Sequence, residues 1–583
     1  MRGARSAGAV GALVGVIGVA VLFRGLPGQP VSATLWGSDF DPHLMVWTVE
    51  WVYHALFERL TPLDVWNANS FYPHLQTLAY ADSLFSVQLF HAPLRALGVA
   101  PLPALYAALA GFCVLGAVLT DRWLHPFALS AWERALVVAA AHFALPMVSF
   151  LPSHYQLFGM QLAPPFFLAL HRLLSHWRGR DLLALTAVFC LAGGFTTYFV
   201  PMTGVVSALL LAAFAARLAP LAPSLARRLG WTGPLATLAL LAVFFRVQLR
   251  PYLTVFGQLA PQSMTETHAY SARPWSLVLD PSIHSFWYHP GGYDVGGWER
   301  AVFPGLALLL LAAAGAVAVL TRRPAARLEP VAATVPMPPP VPLAAYALAL
   351  FAIAWVLSWG PYVDVEGHKL WLPFVVLAKL VPGVGNIRAP GRFSQFFGLP
   401  LGLLAVVALR WLALAVPARA RLLAALATVA VAVESWPVTP LYPYAIAHAA
   451  FYTAARPLIG EGTPLLVLPV AGPNHLATVR RRMEQLKGST LHWGWLVAGY
   501  GSRDTPELME LMDLDNRLTA GTAAADDLIA FARRLKITRL VLFPEGYPAG
   551  KGAALLDRLG ALGARPLLAT GDGVLLDLPP ASP

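Results

Sequence analysis

Residues 200–216 read VPMTGVVSALLLAAFAA, an uncharged apolar run that ends at Arg217. A helix needs about 20 mostly apolar residues to cross a bilayer, so this run predicts a membrane-spanning helix. Similar runs recur through residues 1–438, which are therefore predicted to form an α-helical polytopic membrane domain of about eleven spans. The predicted spans are residues 7–24, 102–120, 132–151, 158–174, 182–199, 200–216, 232–249, 302–320, 343–359, 393–409 and 422–438.

The composition of the whole chain agrees with a membrane protein. Of its 583 residues, 57% are hydrophobic and 12% are charged, whereas soluble domains carry about 25% charged residues. The net charge of +11 comes from short arginine clusters between apolar runs, which favours contact with lipid headgroups and argues against nucleic-acid binding. The only two cysteines, Cys113 and Cys190, lie inside apolar runs and predict small buried side chains.

The arginine clusters also predict the orientation of the spans. They occur in every second connection, at Arg2 and Arg5; Arg122 and Arg134; Arg172, Arg178 and Arg180; Arg217, Arg227 and Arg228; Arg322, Arg323 and Arg327; and Arg410, Arg419 and Arg421. Because cytoplasmic loops are enriched in Lys and Arg, the N-terminus is predicted to be cytoplasmic and the C-terminus extracytoplasmic, in a bacterial inner (plasma) membrane.

The predicted outer loops are long and cover residues 25–101, 250–301 and 360–392. Within the first, residues 84–97 are fairly apolar but carry His91, Pro93 and Arg95. A span at this position would break the alternation of the arginine clusters. We therefore expect a re-entrant or interfacial helix there, on the outer side.

The composition changes after residue 438. Strand-like runs occur at residues 464–470, 539–543 and 574–578, and helical patterns at 505–514, 524–535 and 552–562. Gly571-Asp572-Gly573 is a hairpin-turn signal ahead of the last strand. Residues 439–583 are therefore predicted to form a small extracytoplasmic α/β domain.

The first outer loop holds the densest polar sequence. It begins Gly37-Ser38-Asp39-Phe40-Asp41-Pro42 and continues into a predicted helix over residues 43–60. The apolar face of that helix, which suits a membrane interface, carries Leu44, Trp47, Trp51 and Ala55. Its polar face carries Glu50, His54 and Glu58 at i, i+4 spacing.

Asp39 and Asp41 are the candidate reactive groups of this loop. A carboxylate just beyond the first span is well placed to accept the proton of an incoming hydroxyl, or to hold a divalent cation beside a phosphate. The alternative is structural, because an Asp followed by Pro is typical of a helix start. One residue can serve both purposes, and the sequence leaves both open.

Further candidates lie on the predicted outer face. His154, Tyr155 and Gln156 follow a span, and Arg246 and Arg250 end one. Arg388 and Arg392 precede a span on the side where arginine is disfavoured, which indicates phosphate binding. The loop over residues 262–300 is rich in ionisable residues without the spacing of a metal motif; these are Glu266, His268, Asp280, His284, His289 and Glu299.

Several of these segments resemble one family. The first outer loop, with Asp41-Pro42, Trp47, Trp51, residues 66–73 (WNANSFYP) and residues 78–82 (LAYAD), is similar to that of a bacterial group within the GT-C glycosyltransferase superfamily. Relatives of this group include protein O-mannosyltransferases and lipid A aminoarabinose transferases. Residues 388–393 (RAPGRF) resemble the basic segment ahead of a late helix in the same group. The resemblance extends over nearly the whole chain.

The resemblance implies a GT-C fold and inverting transfer of a sugar from a polyprenyl-phosphate donor to a glycan, lipid or protein acceptor at the periplasmic face. Its outer-loop base maps onto Asp41, or else Asp39. A second carboxylate has three candidates, Glu266, Asp280 and Glu299. A divalent cation such as Mg²⁺ or Mn²⁺ is left open, because the metal requirement varies across the superfamily. Taken together, the candidate donor- and substrate-binding residues are Trp47, Glu50, His54, Asn67, Asn69, Tyr72, His74, Tyr80, Asp82, His154, Gln156, Arg246, Arg250, Arg388 and Arg392.

Two other functions are weighed against glycosyl transfer. A transporter or lipid flippase needs ionisable residues at mid-membrane depth, and the predicted spans hold few beyond His142 and His171. A non-catalytic envelope assembly or anchoring protein needs no cavity behind Asp41. The transferase hypothesis predicts instead that Asp41, residues 154–156 and Arg388 with Arg392 converge on one outer-face cavity.

Overall fold

The computed structural model describes residues 7–257, 262–280, 287, 297–328, 341–416, 420–436, 439–502 and 504–579. The chain divides into two compact units. The helical unit comprises Met1–Val31, Tyr106–Arg250 and Gln258–Leu441, and the mixed unit comprises Ser32–Leu105, Pro251–Gly257 and Tyr442–Pro583. The C-terminal segment thus shares its compact unit with most of the first predicted outer loop, a grouping that the sequence did not indicate.

The described α-helices are, in chain order, α1 (Ala9–Leu22), α2 (Asp41–Tyr53), α3 (Gln88–Ala96), α4 (Pro101–Leu124), α5 (Ala131–Phe143), α6 (Leu145–Val148), α7 (Ala163–His176), α8 (Gly179–Gly193), α9 (Phe199–Leu218), α10 (Leu225–Leu229), α11 (Thr232–Phe244), α12 (Arg250–Phe256), α13 (Met264–Ala269), α14 (Ser276–Leu279), α15 (Leu306–Leu320), α16 (Leu343–Ser358), α17 (Pro373–Leu380), α18 (Gly398–Ala415), α19 (Ala420–Glu434), α20 (Ala449–Ile459), α21 (His475–Ser489), α22 (Pro506–Ala520), α23 (Ala525–Arg534) and α24 (Lys551–Ala561). The strands are β1 (Thr34–Trp36), β2 (Tyr362–Val365), β3 (His368–Trp371), β4 (Leu441–Pro443), β5 (Pro464–Leu468), β6 (Trp495–Leu496), β7 (Arg539–Leu542), β8 (Arg565–Ala569) and β9 (Val574–Asp577).

Long apolar helices make this a helical membrane protein. Within the described part of the chain, five helices are long and apolar enough to cross a bilayer: Pro101–Leu124, Ala131–Val148, Tyr155–His176, Phe199–Leu218 and Thr232–Phe256. A sixth results if Pro390–Phe396 and Gly398–Leu414, which are bent by 43°, form one span. Shorter apolar helices occur at Ala9–Leu22, Leu306–Leu320, Leu343–Ser358 and Ala425–Glu434. Every predicted span overlaps one of the helices described above, and the full count of eleven spans stays a prediction.

A buried carboxylate ties three helices of the helical unit together. Asp121 near the end of α4 is fully buried, and its Oδ2 accepts the main-chain amides of Gly8 and Gly11 at 3.0 and 3.1 Å. These amides belong to the first turn of α1, which has no other cap at Gly8. Arg134 of α5 approaches the other oxygen at 2.7 Å. The charge of Asp121 is therefore compensated by an arginine and a helix N-terminus.

The mixed unit contains a five-stranded sheet in the order β6-β5-β7-β9-β8. β5 runs parallel to β6 and β7, while β9 runs antiparallel to β7 and β8. Three predicted strands coincide with β5, β7 and β9, and three predicted helices with α22, α23 and α24. The predicted glycine turn joins β8 to β9, where the amide of Thr570 donates to the Gly573 carbonyl at 2.9 Å.

The loop before α3 forms main-chain hydrogen bonds with the edge strand of this sheet. The amide of Tyr72 donates to the Leu496 carbonyl at 2.9 Å, and the amide of Leu496 donates to the Asn69 carbonyl at 3.1 Å. The amide of Phe71 donates to Ala498 at 3.2 Å. A Cβ atom on Gly499 would lie 2.5 Å from the Phe71 ring, so only glycine permits this approach. The edge strand β6 is thereby covered by residues far away in the chain.

Candidate functional site

Helix α2 presents the two carboxylates that the sequence singles out. The helix begins at Asp41 and has Pro42 in its first turn. Amides in the first turn have no acceptor within the helix, so the missing N–H of proline costs no hydrogen bond there. Phe40 occupies the N-cap position and has no side-chain cap. The helix start predicted at Asp41-Pro42 is therefore confirmed, but neither Asp39 nor Asp41 occupies the N-cap position. Asp41 lies in the first turn, where its negative charge interacts favourably with the positive end of the helix dipole.

The expected membrane-interface face of α2 is also wrong. All residues from Pro42 to Val52 are buried, and the side chains of Trp47 and Trp51 are 3% and 1% exposed. The Trp47 indole donates to Asn69 Oδ1 at 3.2 Å, and the Trp51 indole donates to the Val65 carbonyl at 2.8 Å. The apolar spacing reflects packing inside the protein, since both indole N–H groups have partners in the following loop.

Asp39 is held by two side chains. His43 Nε2 lies 3.1 Å from Asp39 Oδ1, and a guanidinium nitrogen of Arg480 lies 3.3 Å from Oδ2. Burial lowers the pKa of His43, and nearby Lys487 acts in the same direction. A neutral imidazole therefore donates to the carboxylate from Nε2, and Arg480 balances the charge of Asp39.

Asp41 lies beside a different group. The hydroxyl of Tyr500 donates to Asp41 Oδ1 at 3.1 Å. Arg482 of α21 positions this tyrosine, because its guanidinium lies 5.9 Å from the Tyr500 ring centroid and its Nε donates to the Gly499 carbonyl at 2.6 Å. Asp41 and Tyr500 are both partly exposed. The pair thus places a solvent-accessible carboxylate against a neutral donor.

Arg480 and Tyr500 were missed by the sequence reasoning. α21 packs directly on α2 and carries the run Arg480-Arg481-Arg482. This run could have indicated that α21 contributes to the site, because three consecutive arginines outside the span connections are not explained by the orientation of the spans. No local pattern indicates that the helix lies against a loop near the other end of the chain.

Glu50, a predicted substrate-binding residue, is engaged in a buried ion pair. Arg95 of α3 donates from Nε to Glu50 Oε1 and from a terminal nitrogen to Oε2, both at 3.0 Å. His91 Nε2 approaches Oε1 at 3.1 Å. His91 and Arg95 are the residues that made residues 84–97 a poor membrane span. In the structure they join α3 to α2.

His54 is likewise held between carboxylates. Its Nδ1 lies 2.6 Å from Glu58, as the i, i+4 spacing predicted, and its Nε2 lies 3.2 Å from Glu461. The imidazole stacks on the Trp493 indole with ring centroids 4.3 Å apart. His54 thus links the end of α2 to the C-terminal segment.

The loop after α2 forms a shallow cleft that is open to solvent. Its lining consists of Asn67, Ala68, Ser70, Tyr72, His74, Leu75 and Trp495. The Tyr72 and Trp495 rings lie 6.0 Å apart and are inclined by 35°. His74 Nε2 lies 2.6 Å from Glu507, and this contact outweighs burial to lower the pKa of Glu507. Aromatic faces beside an amide and an imidazole are groups that a saccharide can contact.

The other predicted loop residues support the backbone. Asn69 is fully buried between the Trp47 indole and the Gly494 carbonyl, to which it donates at 3.2 Å. The carbonyl of Tyr80 accepts the amide of Ser502 at 2.8 Å. Asp82 is buried, and the neighbouring Ala81 carbonyl accepts the Tyr252 hydroxyl at 2.8 Å.

A second cluster lies in the helical unit, where two separately predicted segments meet. Arg392 Nε donates to Glu299 Oε2 at 3.0 Å, and His154 Nε2 lies 3.3 Å from Glu299 Oε1. Burial alone would raise the pKa of Glu299, but Arg392 and His154 outweigh it and lower the pKa to about 2. The Arg392 guanidinium also lies 4.9 Å from the Tyr198 ring centroid. A carboxylate whose charge is stabilised in this way is a poor base, and it holds the Arg392 and His154 side chains in place.

All three candidates for the second carboxylate have partners. Glu299 pairs with Arg392, Glu266 lies 2.9 Å from Arg388 Nε, and Asp280 accepts the Ser276 hydroxyl. Arg388 also donates to the Tyr270 hydroxyl at 2.8 Å. His284 and His289 lie outside the described residues.

The remaining candidates of the helical unit differ in exposure. Gln156 is buried, and its Oε1 has no hydrogen-bond partner among the described residues. Arg246 and Arg250 are exposed on the span Thr232–Phe256. The mixed unit therefore holds Asp39, Asp41 and the first-loop candidates, and the helical unit holds His154, Gln156 and the four arginines. Their convergence on one cavity stays a prediction.

The described residues contain no group of three or more His, Cys, Asp and Glu side chains able to hold a metal ion. Asp39 and Asp41 supply two carboxylates, and Asp39 already faces Arg480. Mg²⁺ is usually bound by one or two carboxylates together with substrate phosphates, so the divalent cation considered from the sequence stays a prediction.

No family model and no curated protein matches the chain. Among solved structures, it is similar to the arabinofuranosyltransferase AftD from Mycobacteria, with a TM-score of 0.54 and 15% identity over 98% of this chain. A mutant of AftD gives a TM-score of 0.52 and 15% identity over 97% of this chain. The chain spans 40% and 41% of these two AftD chains.

An oligosaccharyltransferase from Archaeoglobus fulgidus matches 92% of this chain and 69% of its own, at 13% identity. Its TM-score of 0.36 is too low to carry weight. At 15% identity the two AftD structures show a shared fold and nothing finer. The fold expected from the sequence resemblance is thereby confirmed: the chain has the GT-C fold found in membrane glycosyltransferases such as AftD.

Proposed function

We propose that this protein is a membrane glycosyltransferase that transfers a sugar from a polyprenyl-phosphate donor to an acceptor hydroxyl at the periplasmic face. The observation that carries the proposal is the partly exposed pair Asp39 and Asp41 at the start of α2, flanked by Arg480 and Tyr500. The pair places a carboxylate that can accept a proton at a partly exposed position. The proposal includes eleven spans, a cytoplasmic N-terminus and an extracytoplasmic C-terminal segment in the inner membrane.

The reaction needs one proton acceptor. Asp41 accepts the proton of the acceptor hydroxyl while the hydroxyl oxygen attacks the anomeric carbon of the donor. A new glycosidic C–O bond forms on one face of the sugar. The C–O bond to the phosphate breaks on the opposite face, and the electron pair leaves with the polyprenyl phosphate. The product has inverted configuration and Asp41 holds the proton.

Asp39 and Asp41 take different roles in this scheme. Asp39 is bonded to His43 and Arg480, so its charge is already balanced by a guanidinium. Its oxygens orient those two side chains. Asp41 accepts a hydrogen bond from the Tyr500 hydroxyl, and it is the residue onto which the sequence resemblance first maps the outer-loop base. We therefore assign the base to Asp41.

The cleft beside Tyr72 and Trp495 is proposed to receive the acceptor saccharide. Tyr72 and Trp495 offer ring faces to the apolar side of a sugar, and Asn67 and His74 offer polar atoms to its hydroxyls. The loop that forms the cleft is fixed to α2 through Trp47 and Asn69. Trp47 follows Asp41 by six residues, a rise of about 9 Å along the helix.

The test is a thermal-stability assay on the full chain in detergent, with a panel of polyprenyl-phosphate sugars. The wild type is expected to show a rise in midpoint for one donor class, because a ligand stabilises the state to which it binds. Purified Asp41→Asn should keep its unliganded midpoint and lose sugar transfer from that donor. Asp64→Asn, an exposed carboxylate in the same loop, is the matched control and should behave as wild type.

Two results contradict the proposal. If no donor in the panel raises the thermal midpoint of the wild type, polyprenyl-phosphate sugars are excluded as the donor class. A large fall in the unliganded midpoint of Asp41→Asn, with transfer by the folded fraction unchanged, would make Asp41 structural. The non-catalytic assembly function would then be favoured.

A further inference from the structure

Helix α21 carries four basic residues, and three of them are occupied inside the protein. Arg481 donates to two main-chain carbonyls, and Arg482 pairs with Asp504 and is 4% exposed. Lys487 is 3% exposed and donates to the Ala445 carbonyl at 2.7 Å. These three hold the C-terminal segment together. The fourth, Arg480, has a different setting.

Arg480 extends from α21 towards the start of α2. Its guanidinium lies 5.6 Å from the Phe40 ring centroid and 3.3 Å from Asp39 Oδ2, and its side chain is 55% exposed. A guanidinium has five N–H donors in a planar fork. Asp39 and Phe40 fix the plane of this fork while more than half of the side chain faces outward. The arrangement suits an anion with several oxygens.

The carboxylate that orients Arg480 is itself fixed from the protein side. The other oxygen of Asp39 accepts from His43, which is 5% exposed and stacks on the Tyr444 ring with centroids 5.7 Å apart. Asp39 thus connects a buried imidazole to an exposed arginine. A guanidinium anchored in this way loses little conformational entropy when it binds an anion.

We propose that Arg480 binds the phosphate group of the lipid-linked donor, so that the C-terminal segment contributes directly to the donor site. The inference rests on the proposed function and adds to it a residue and a phosphate-binding role. Arg480 balances the charge of the phosphate as the sugar leaves, and Asp39 keeps the guanidinium in place. Asp39 and Arg480 then act together beside Asp41.

The test compares two arginines with similar surroundings. Arg534 is 54% exposed, lies 2.6 Å from Glu510 and lies 5.2 Å from the Phe531 ring centroid. Arg480→Gln and Arg534→Gln are prepared in the full chain, and binding of undecaprenyl phosphate is measured in phosphatidylcholine nanodiscs. Arg480→Gln should bind about tenfold more weakly or worse, as expected for loss of a charged hydrogen bond. Arg480→Lys should recover part of the loss, and Arg534→Gln should match wild type.

Two further arms identify the source of the phosphate. Nanodiscs containing phosphatidylglycerol and solutions of inorganic phosphate replace the carrier. Equal weakening with phosphatidylglycerol would indicate a general anionic-lipid contact and would overturn the inference. Binding of inorganic phosphate alone, with no gain from the prenyl chain, would overturn it as well.

The outcomes separate this inference from the proposed function. Wild type that binds no undecaprenyl phosphate contradicts both. Wild type that binds it, with Arg480→Gln unchanged and Asp41→Asn inactive in transfer, contradicts only the role of Arg480. The unliganded thermal midpoint of Arg480→Gln controls for folding, and Arg480→Lys replaces it if that midpoint falls.

Discussion

Tyr500 donates a hydrogen bond to Oδ1 of Asp41 at 3.1 Å, although 459 residues separate the two in the chain. The contact joins the residue assigned as base to the C-terminal segment. Two glycines flank the tyrosine, and a Cβ atom on Gly501 would lie 2.9 Å from the Tyr80 carbonyl oxygen. The main chain around Tyr500 is therefore held closely against the first loop.

Tyr500→Phe should reduce the turnover rate about fivefold and leave donor affinity unchanged. The change removes the hydrogen bond from the Tyr500 hydroxyl to the Asp41 carboxylate, and a neutral hydrogen bond is worth about 1 kcal/mol. Steady-state transfer assays that report kcat and KM separately provide the measurement. Tyr442→Phe is the control, because Tyr442 is a partly exposed tyrosine of the same unit. A variant with the turnover of wild type would show that the hydroxyl does not position Asp41.

Glu50→Ala should destabilise the protein without removing transfer by the folded fraction. The substitution leaves Arg95 and His91 without their shared carboxylate, and loss of one partner of a buried pair costs about 3 kcal/mol. The measurement is the thermal midpoint together with activity per folded molecule. The double variant Glu50→Leu with Arg95→Met should recover most of the loss, since no charge is then left unpaired. Loss of transfer at an unchanged midpoint would place Glu50 in the substrate site after all.

Glu299 should make stability depend on pH in the acid range. Its folded-state pKa of about 2 lies below the ordinary value of 4.5, so the stabilisation is present above pH 4.5 and is lost as the pH falls towards 2. The shift corresponds to about 3 kcal/mol at neutral pH. Thermal midpoints of wild type and Glu299→Gln should therefore differ most at pH 7 and converge towards pH 2. A constant difference over this range would contradict the ion pair with Arg392.

Trp495→Ala should abolish saccharide contact in the cleft. Saturation-transfer NMR with a panel of pyranose and furanose disaccharides reports such contact on the full chain in detergent. Signals seen with wild type should disappear in Trp495→Ala, because the ring face is lost. Trp231→Ala removes an exposed tryptophan of the helical unit and should retain them. Equal signals in both variants would exclude the cleft as a saccharide site.

Much of the fold could be predicted because its signals are local. Each predicted span overlaps a helix, and the short apolar runs bounded by turn residues became β5, β7 and β9. β8 was missed because four of its five residues are exposed, which removes the apolar signature. β6 was missed because it has only two residues.

Only the part of the candidate site that lies in the first outer loop could be predicted from the sequence. Asp39 and Asp41 stand out beside a helix start, but Arg480 and Tyr500 become relevant only through tertiary packing. Glu299 was one of three candidate carboxylates, and no local pattern distinguishes it from Glu266 and Asp280. Its pairing with His154 and Arg392 spans 145 and 93 residues, beyond the reach of any periodicity.

The loop strand at the edge of β6 has a consequence for the biosynthesis of this protein. Asn69 and Gly494 are hydrogen-bonded across 425 residues, so the loop leaves the ribosome long before its partner exists. At about 5–20 residues per second, the interval is about 20–85 s. During this time residues 69–72 lack their strand partner, and the C-terminal segment later arrives with an open sheet edge. Assembly of the mixed unit can therefore be completed only after residues 494–498 have been synthesised.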